Sequence, residues 1–572
     1  MTTRTAGRSG GPGRHPEGEG TLTLRIEVSP LRGNRLAMDY LAGTPEAAHF
    51  FSGHPADLQS FRAKLEEVTR RFGRAEREAA AAAVRPTSAS ARERLARFVE
   101  QGGAMVTTGQ QTGLFTGPLY TIHKILTAIR LAEALERELG IIVLPVFWCA
   151  SEDHDFAEAN HTFAVDGAGK LRRFSVGQTD PRPVPMSEMR LGTDIESVVD
   201  EYGELVAQQR GTGVDLTRFS GPYRTGETVA GAFRGMVEGL FADFDLLVTD
   251  AADPALKQVS VPVLRAAVAD AAGHERLLQQ RTEALEVAGY APQVTLVPDA
   301  ANVFYHGPAG RERLVRAGRG WAAPDARIRV TPEEVEARIA AEPGSFSPNV
   351  LLRPVVESAV FPTLAYVGGH AEVAYFAQIE PLFGAMGILP PVAYPRFSAR
   401  LVPDEVAEAA AELGVTDAEL ALPEHELIAL VARRRLAPEV GERLRALRGS
   451  IVEGFGAVMD AADGIDPNLQ LAIGARRDRA LLAAADAERK ILAHAKRSDR
   501  GITELLPLVR NTLMPFGAPQ ERSLNLLPFL AMRPTLLRDL AERMEVRLGG
   551  AVARPERMPD GAVHAPAQPQ PG

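Results

Sequence analysis

The chain has one cysteine, Cys149, in 572 residues, which excludes an intramolecular disulfide framework and any zinc or iron–sulfur site built from several thiolates of one chain. A reducing compartment suits that count. No apolar run reaches the roughly 18 to 20 residues that span a bilayer; the most hydrophobic stretch, IIVLPVFWCA at 141–150, ends in an acidic cluster. Positive charge is not in excess either. With 64 Lys plus Arg against 73 Asp plus Glu, the net charge is −9, so no uniform basic field holds nucleic acid or an anionic bilayer by counterion release. Residues 1–20 lack the apolar segment of a secretory signal, and 553–572 hold repeated prolines and few large apolar side chains, so both ends are expected to hang free. A soluble, cytoplasmic protein without nucleic-acid or membrane partners is the expectation.

What is present is globular: 45% hydrophobic and 24% charged residues, on a length that suits two to four domains. Before about residue 402 strand-like and helix-like segments alternate, and after it the pattern is almost wholly helical, which predicts an α/β part followed by an α part. AMVTT (104–108), a glycine-rich turn, a helix over 121–139 with Ile122, Ile125, Ile129, Ala132 and Leu135 inward, and a strand at 141–150 compose a βαβ unit. LLVT (246–249), QVTLV (293–297), VFPTLAYV (360–367) and ILPPVAY (388–394) extend this to a doubly wound parallel sheet, with insertions at about 161–225 and 299–346.

The expected domains are therefore a core over 21–402, a helical arm over 403–514 and a segment over 515–552 that packs back on the core. In the arm, Leu444, Leu447, Ile451, Phe455, Val458 and Ala462 recur at spacings of three and four, a narrow seam of coiled-coil type. The turn DGIDP (463–467) and a second helix with Leu471, Ile473, Leu481, Leu482, Ala484 and Ile491 make an antiparallel hairpin. Its seam is completed either by a second copy, giving a homodimer, or within the chain.

Three strand-to-helix junctions concentrate polar chemistry at the carboxyl end of the sheet, where open α/β sheets bind ligands. In TTGQQTGLFTGPLYTIHK (107–124), Gly109, Gly113 and Gly117 allow close backbone approach, the helix N-terminus suits phosphate or carboxylate, and His123 and Lys124 add donors. A well-made turn with a core-packed histidine is the competing reading. SEDHDFAEANHTF (151–163) gathers Glu152, Asp153, His154, Asp155, Glu158 and His161, which can meet Mg²⁺, hold an amine or relay protons. Asp155 and Glu158 also match a helix-capping pattern, whereas Asp153 and His154 do not. At the third junction Gly368 and Gly369 precede a helix with Glu372 in its first turn, serving either the helix dipole or a ribose or ammonium contact. Cys149, inside an apolar strand, reads as a small core residue.

The strings TGQQTGLFTGPLYTIHKI, PVFWCASEDHDFAEANH, LLRPVVESAVFPTLAYVGGHAEVAYFAQ and PFGAPQERSLN (515–525) closely resemble the BshC family, cysteine ligases of bacillithiol biosynthesis. The resemblance implies a Rossmann-like core related to class I nucleotidyltransferases and aminoacyl-tRNA synthetases, followed by a coiled-coil arm used for dimerisation. It implies joining L-cysteine through its carboxyl group to the glucosamine amine of glucosaminyl-malate, with ATP to activate the carboxyl. The His-x-Gly-His signature of the wider superfamily falls on Tyr120, Thr121, Ile122 and His123, of which only the last is histidine. PRFSAR (395–400) stands where the lysine-rich loop of that superfamily would be, without its lysines. Catalytic roles are expected of His123, Asp153, His154 and Asp155, and nucleotide or substrate contacts of Gly109, Gln110, Gln111, Gly113, Thr121, Lys124, Glu152, Asn160, His161, Gly368, Gly369 and Glu372. A protein that presents substrate to a separate activating enzyme is the alternative.

Overall fold

The computed structural model describes residues 24–29, 33–208, 220–323, 325, 327–463, 465–546 and 548; the tails expected at 1–20 and 553–572 lie outside them. The central sheet comprises β1 (Ala104–Gln111), β2 (Val143–Ala150), β3 (Leu247–Asp250), β4 (Thr363–Gly368) and β5 (Val392–Pro395). They lie parallel in the order β5-β4-β1-β2-β3, and the short strand Arg85–Pro86 pairs antiparallel with β3 at the edge. Chain order therefore runs outward from β1 in both directions, through β2 and β3 on one side and β4 and β5 on the other. The reversal between β1 and β4 opens a crevice at their carboxyl ends.

Helix α1 (Leu119–Leu139) links β1 to β2. All five predicted inward residues are buried, and so are Leu126, Ala128 and Leu131, so the helix is covered well beyond one face. Its second cover comes from far along the chain: Leu524, Leu526, Leu527, Phe529, Leu530 and Leu540 share a core cluster with Ile122, Ile125 and Ile129. Five further helices matter here: α2 (Pro254–Ala269), α3 (Arg353–Val360) and α4 (His370–Ala385) around the sheet, then α5 (Pro438–Ala461), which forms the arm with α6 (Pro467–Ser498).

Several expectations need correction. QVTLV (293–297) forms no strand; its Val294 N–H donates to Gln378 Oε1 and its Val294 carbonyl accepts from Gln378 Nε2, so a side chain of α4 takes the place of a ladder. The glycine-rich turn begins later than predicted, because Gly109, Gln110 and Gln111 remain in β1, paired with Trp148, Cys149 and Ala150. A Cβ at Gly109 would lie 3.0 Å from the Trp148 carbonyl oxygen, so glycine serves sheet packing there. Residues 300–348, expected as a less regular insertion, hold five antiparallel strands ordered Ile328–Val330, Gly320–Ala323, Gly310–Ala317, Ala300–Gly307 and Phe346–Pro348. In RERLVRA the alternating charges hide a strand that buries Glu312 and Leu314. Beyond the core, Ala399–Pro403 pairs antiparallel with Leu24–Val28, and the helices that follow enclose a separate cluster including Val406, Leu427, Val431, Leu492 and Val509.

The turn after β1 carries three consecutive left-handed residues, Phe115 (φ 51°), Thr116 (φ 74°) and Gly117 (φ 67°). Two of these are not glycine, so the conformation costs energy that other contacts must offset. The buried Asn525 supplies them, donating to the carbonyls of Phe115 (2.6 Å) and Gly117 (3.0 Å) while its Oδ1 accepts from the Tyr202 hydroxyl (2.8 Å) and the Leu527 N–H (3.0 Å). Asn525→Ala is expected to cost about 1–3 kcal/mol for the buried groups left unpaired, read as a lower urea midpoint with an unchanged m-value.

Candidate active site

The last two residues of β1 send their side chains to opposite faces, as strand alternation requires, and each face receives part of the site. On one side Gln110 Oε1 accepts from Lys124 Nζ at 2.9 Å, and Gln110 Nε2 donates to the Tyr120 hydroxyl at 3.2 Å. Lys124, buried on α1, also donates to the Gly109 carbonyl (2.8 Å) and pairs with Glu372 Oε2 at 2.5 Å. Glu372 crosses the crevice from α4, where it accepts from the Gly369 N–H (2.9 Å) and the Tyr366 hydroxyl (2.7 Å). Burial alone would raise the Glu372 pKa, but Lys124 and these donors hold it below the ordinary value. Burial draws the Lys124 ammonium down while Glu372 opposes the fall.

On the other side Gln111 Nε2 donates to Asp153 Oδ2 at 2.5 Å. Burial pushes the Asp153 carboxyl up, and the bond from Gln111 together with Arg311 brings it below its ordinary value. Glu158 moves the other way, raised by burial and by neighbouring Asp155. Asp155 caps the short helix Phe156–Ala159 by accepting from the Glu158 N–H at 3.2 Å, so capping explains its placement. Glu152 is buried in an ion pair with Lys257 of α2, and Lys257 also donates to the Phe346 carbonyl, joining the sheet to the insertion.

Other candidates have local partners. Gly113 sits against Gly117, where an added Cβ would come within 2.9 Å of its Cα. Thr121 is buried with no hydrogen-bond partner for its hydroxyl among the described residues. Asn160 and His161 meet each other, Oδ1 to Nδ1 at 3.0 Å, on a hairpin (His161–Val165 with Leu171–Ser175). Gly368 ends β4 and Gly369 precedes α4. Cys149 is fully buried and its thiol pKa is pushed well up by burial, consistent with a packing residue.

His123 differs from the expectation of a donor facing the glycine-rich turn. It is fully buried, its Nδ1 lies 3.0 Å from Glu521 Oε2, and Glu521 also takes Arg396 (2.5 and 2.9 Å) and the Ser398 hydroxyl (2.8 Å). The first amide of α1 is taken as well, since Leu119 N–H donates to the Leu524 carbonyl at 2.9 Å. A helix N-terminus that looks open in sequence is covered by residues 520–525. Arg396 and Glu521 lie in the PRFSAR and PFGAPQERSLN strings, but nothing local to either string shows that they meet.

The family model for "Bacillithiol biosynthesis BshC, N-terminal Rossmann-like domain" matches residues 23–397, and that for the BshC "C-terminal coiled-coil domain" matches 399–547. The chain belongs to the BshC family. A relative from Koribacter versatilis is 34% identical over 87% of this chain and 92% of its own length. Others from Solibacter usitatus (31%, over 87% and 92%) and Geobacillus thermodenitrificans (30%, over 89% and 95%) are similar along the same extent. Each is named "Putative cysteine ligase BshC".

Burial would raise the Glu521 pKa, yet His123 and Arg396 hold it far below the carboxylate range. Its stabilising contribution is therefore complete above the unfolded value of about 4.3 and is lost as pH falls below that. Glu521→Gln, which leaves Arg396 buried without its counter-charge, is expected to cost about 3 kcal/mol at pH 7. Urea unfolding from pH 7 to pH 3 should show a smaller acid-side loss in the variant than in the parent. His123→Ala is expected to lower the melting temperature, with turnover at low temperature retained.

Proposed function

We propose that this BshC-family ligase joins the carboxyl group of L-cysteine to the glucosamine amine of glucosaminyl-malate in the cytoplasm, after ATP activates the carboxyl. The observation that carries this reading is the Lys124–Glu372 pair, which spans the crevice between β1 and β4 with Gln110 and Tyr366 bonded to it. On the β2 side, half-buried Asp153 and exposed Glu158 suit an amine, which must lose a proton as the amide forms. Glu158, the carboxylate with the raised pKa, is the proton acceptor in this reading. Exposed Arg522 acts electrostatically on both Tyr120 and His370, and suits the nucleotide's phosphates better than the buried His123 does. Mg²⁺ accompanies those phosphates in this reading.

The alternative, a protein that presents substrate to a separate activating enzyme, draws on one observation, the covering of the α1 N-terminus by Leu524. Purified protein with ATP, cysteine and glucosaminyl-malate separates the two. The expected outcome is the thiol product by mass spectrometry, lost at least a hundredfold in Glu372→Gln because the Glu372 carboxylate and its three donors, Lys124, Tyr366 and the Gly369 N–H, act together. Product that appears only when a second protein is added would overturn the first reading in favour of the alternative.

The arm supports a homodimer. Leu444, Ile451 and Phe455 are half-buried, whereas Leu447 (46% exposed), Val458 (54%), Leu471 (75%) and Leu482 (67%) project to solvent. The best sites for breaking a dimer are therefore Leu447 and Val458 rather than Ile451 and Phe455. Glutamate at both is expected to halve the mass seen by light scattering with melting unchanged; a full-mass dimer would remove the arm from the interface. Among the described residues no helix is long and apolar enough to cross a membrane.

A further inference from the structure

Arg311 reaches the carboxyl edge of β2 from the insertion sheet, where it is the second residue of the strand Gly310–Ala317. Its side chain is 9% exposed and fixed on several sides. The guanidinium carbon lies 3.9 Å from the Phe304 ring centroid, Nε donates to Ser347 Oγ at 3.1 Å, and Nη2 donates to the Pro348 carbonyl at 3.2 Å. Nη1 remains, and it lies 3.2 Å from His154 Nδ1. A guanidinium has donors and no acceptor, so Nδ1 must offer its lone pair and the ring proton must sit on Nε2. Asp153 does not compete for Nδ1: its Oδ1 stands 3.6 Å away and already accepts from the His154 backbone N–H at 2.7 Å. Turning the ring over would set a C–H against the guanidinium and lose the bond.

We propose that Arg311 is a positioning residue that fixes His154 as the neutral Nε2–H tautomer, so that His154 presents a hydrogen-bond donor to a carbonyl or carboxylate oxygen of the substrate. It is then neither a general base nor a metal ligand through Nδ1. The assignment of that oxygen to substrate rests on the ligase reading above; the tautomer does not. The charges facing His154 are Asp153 and Asp155 on its own loop, Arg311 from the insertion strand, and His306 from the adjoining strand. Burial and Arg311 lower the His154 pKa against the pull of the two aspartates, so the ring is uncharged at pH 7 and becomes charged only as pH falls below the ordinary 6.5. At 34% exposed, the side chain remains open to solvent at the carboxyl end of β2 for such a contact.

Full-length protein labelled with ¹⁵N-histidine tests this directly, with His154 assigned by the signals lost in His154→Gln. Nδ1 is expected to be unprotonated and Nε2 protonated at pH 7, with a titration midpoint below 6.5. In Arg311→Met the midpoint should rise and both tautomers appear, and kcat should fall roughly tenfold with little change in KM, as for one weakened hydrogen bond. Arg311→Lys, which keeps the charge over Phe304, should restore part of both, and it carries the comparison if the methionine variant does not fold. A parent spectrum with the proton on Nδ1 would overturn the proposal. So would an Arg311→Met protein with lower melting temperature but unchanged tautomer and midpoint, which would leave Arg311 as a strut. Because the spectra need no turnover, failure of the ligase reading is separately visible: the tautomer holds while no product forms.

Discussion

Glu521 makes the contact on which the rest of the core depends. It is buried against α1, 398 residues from His123 in sequence, and holds His123, Arg396 and Ser398 together. A carboxylate in that position is stable only because three donors surround it, and those donors come from two other segments of the chain. Once it is in place, Asn525 can clamp the left-handed turn after β1 and the leucines from 524 to 540 can cover the outer side of α1. The C-terminal segment thus completes the core and supports the turn and the helix beside the crevice.

Two polar networks meet at the end of β1 because adjacent residues of a strand point opposite ways. Gln110 ties in Lys124 and, through it, Glu372; Gln111 ties in Asp153. The insertion sheet contributes from outside this frame. Arg311 grips His154, and Lys257 joins Glu152 to the Phe346 carbonyl. Displacing the insertion would therefore disturb the β2 side of the crevice while leaving the Lys124–Glu372 side intact.

Much of the core was legible before the structure. The alternation of apolar strands and an amphipathic helix around 104–150 marks the first βαβ unit, and the glycines before 119 and 370 mark the junctions that face the crevice. Gln110, Gln111, Lys124 and Glu372 stand in those junctions, and Asp153 and His154 stand in the acidic stretch that follows β2. QVTLV misled because β-rich composition measures how well side chains suit a pleated surface, and no neighbouring strand edge is available to it. The insertion sheet was obscured for the opposite reason, since arginines alternate with its buried residues and one of those, Glu312, is itself charged. Tyr366, Arg311, Arg396 and Glu521 were not legible as site partners, because nothing in one segment states which distant segment it will touch.

The division follows the range of the forces involved. Periodicity, turn chemistry and the position of junctions at strand ends are set by backbone geometry within a few residues, so the sequence alone determined the doubly wound core, the helical arm and the crevice as the place for chemistry. The state of each polar group depends on burial and on charges a few ångströms away, and these are brought there by chain segments hundreds of residues apart. Tertiary structure alone decided that His123 is sealed under Glu521, that Lys124 is matched by Glu372, and that Arg311 sits against His154.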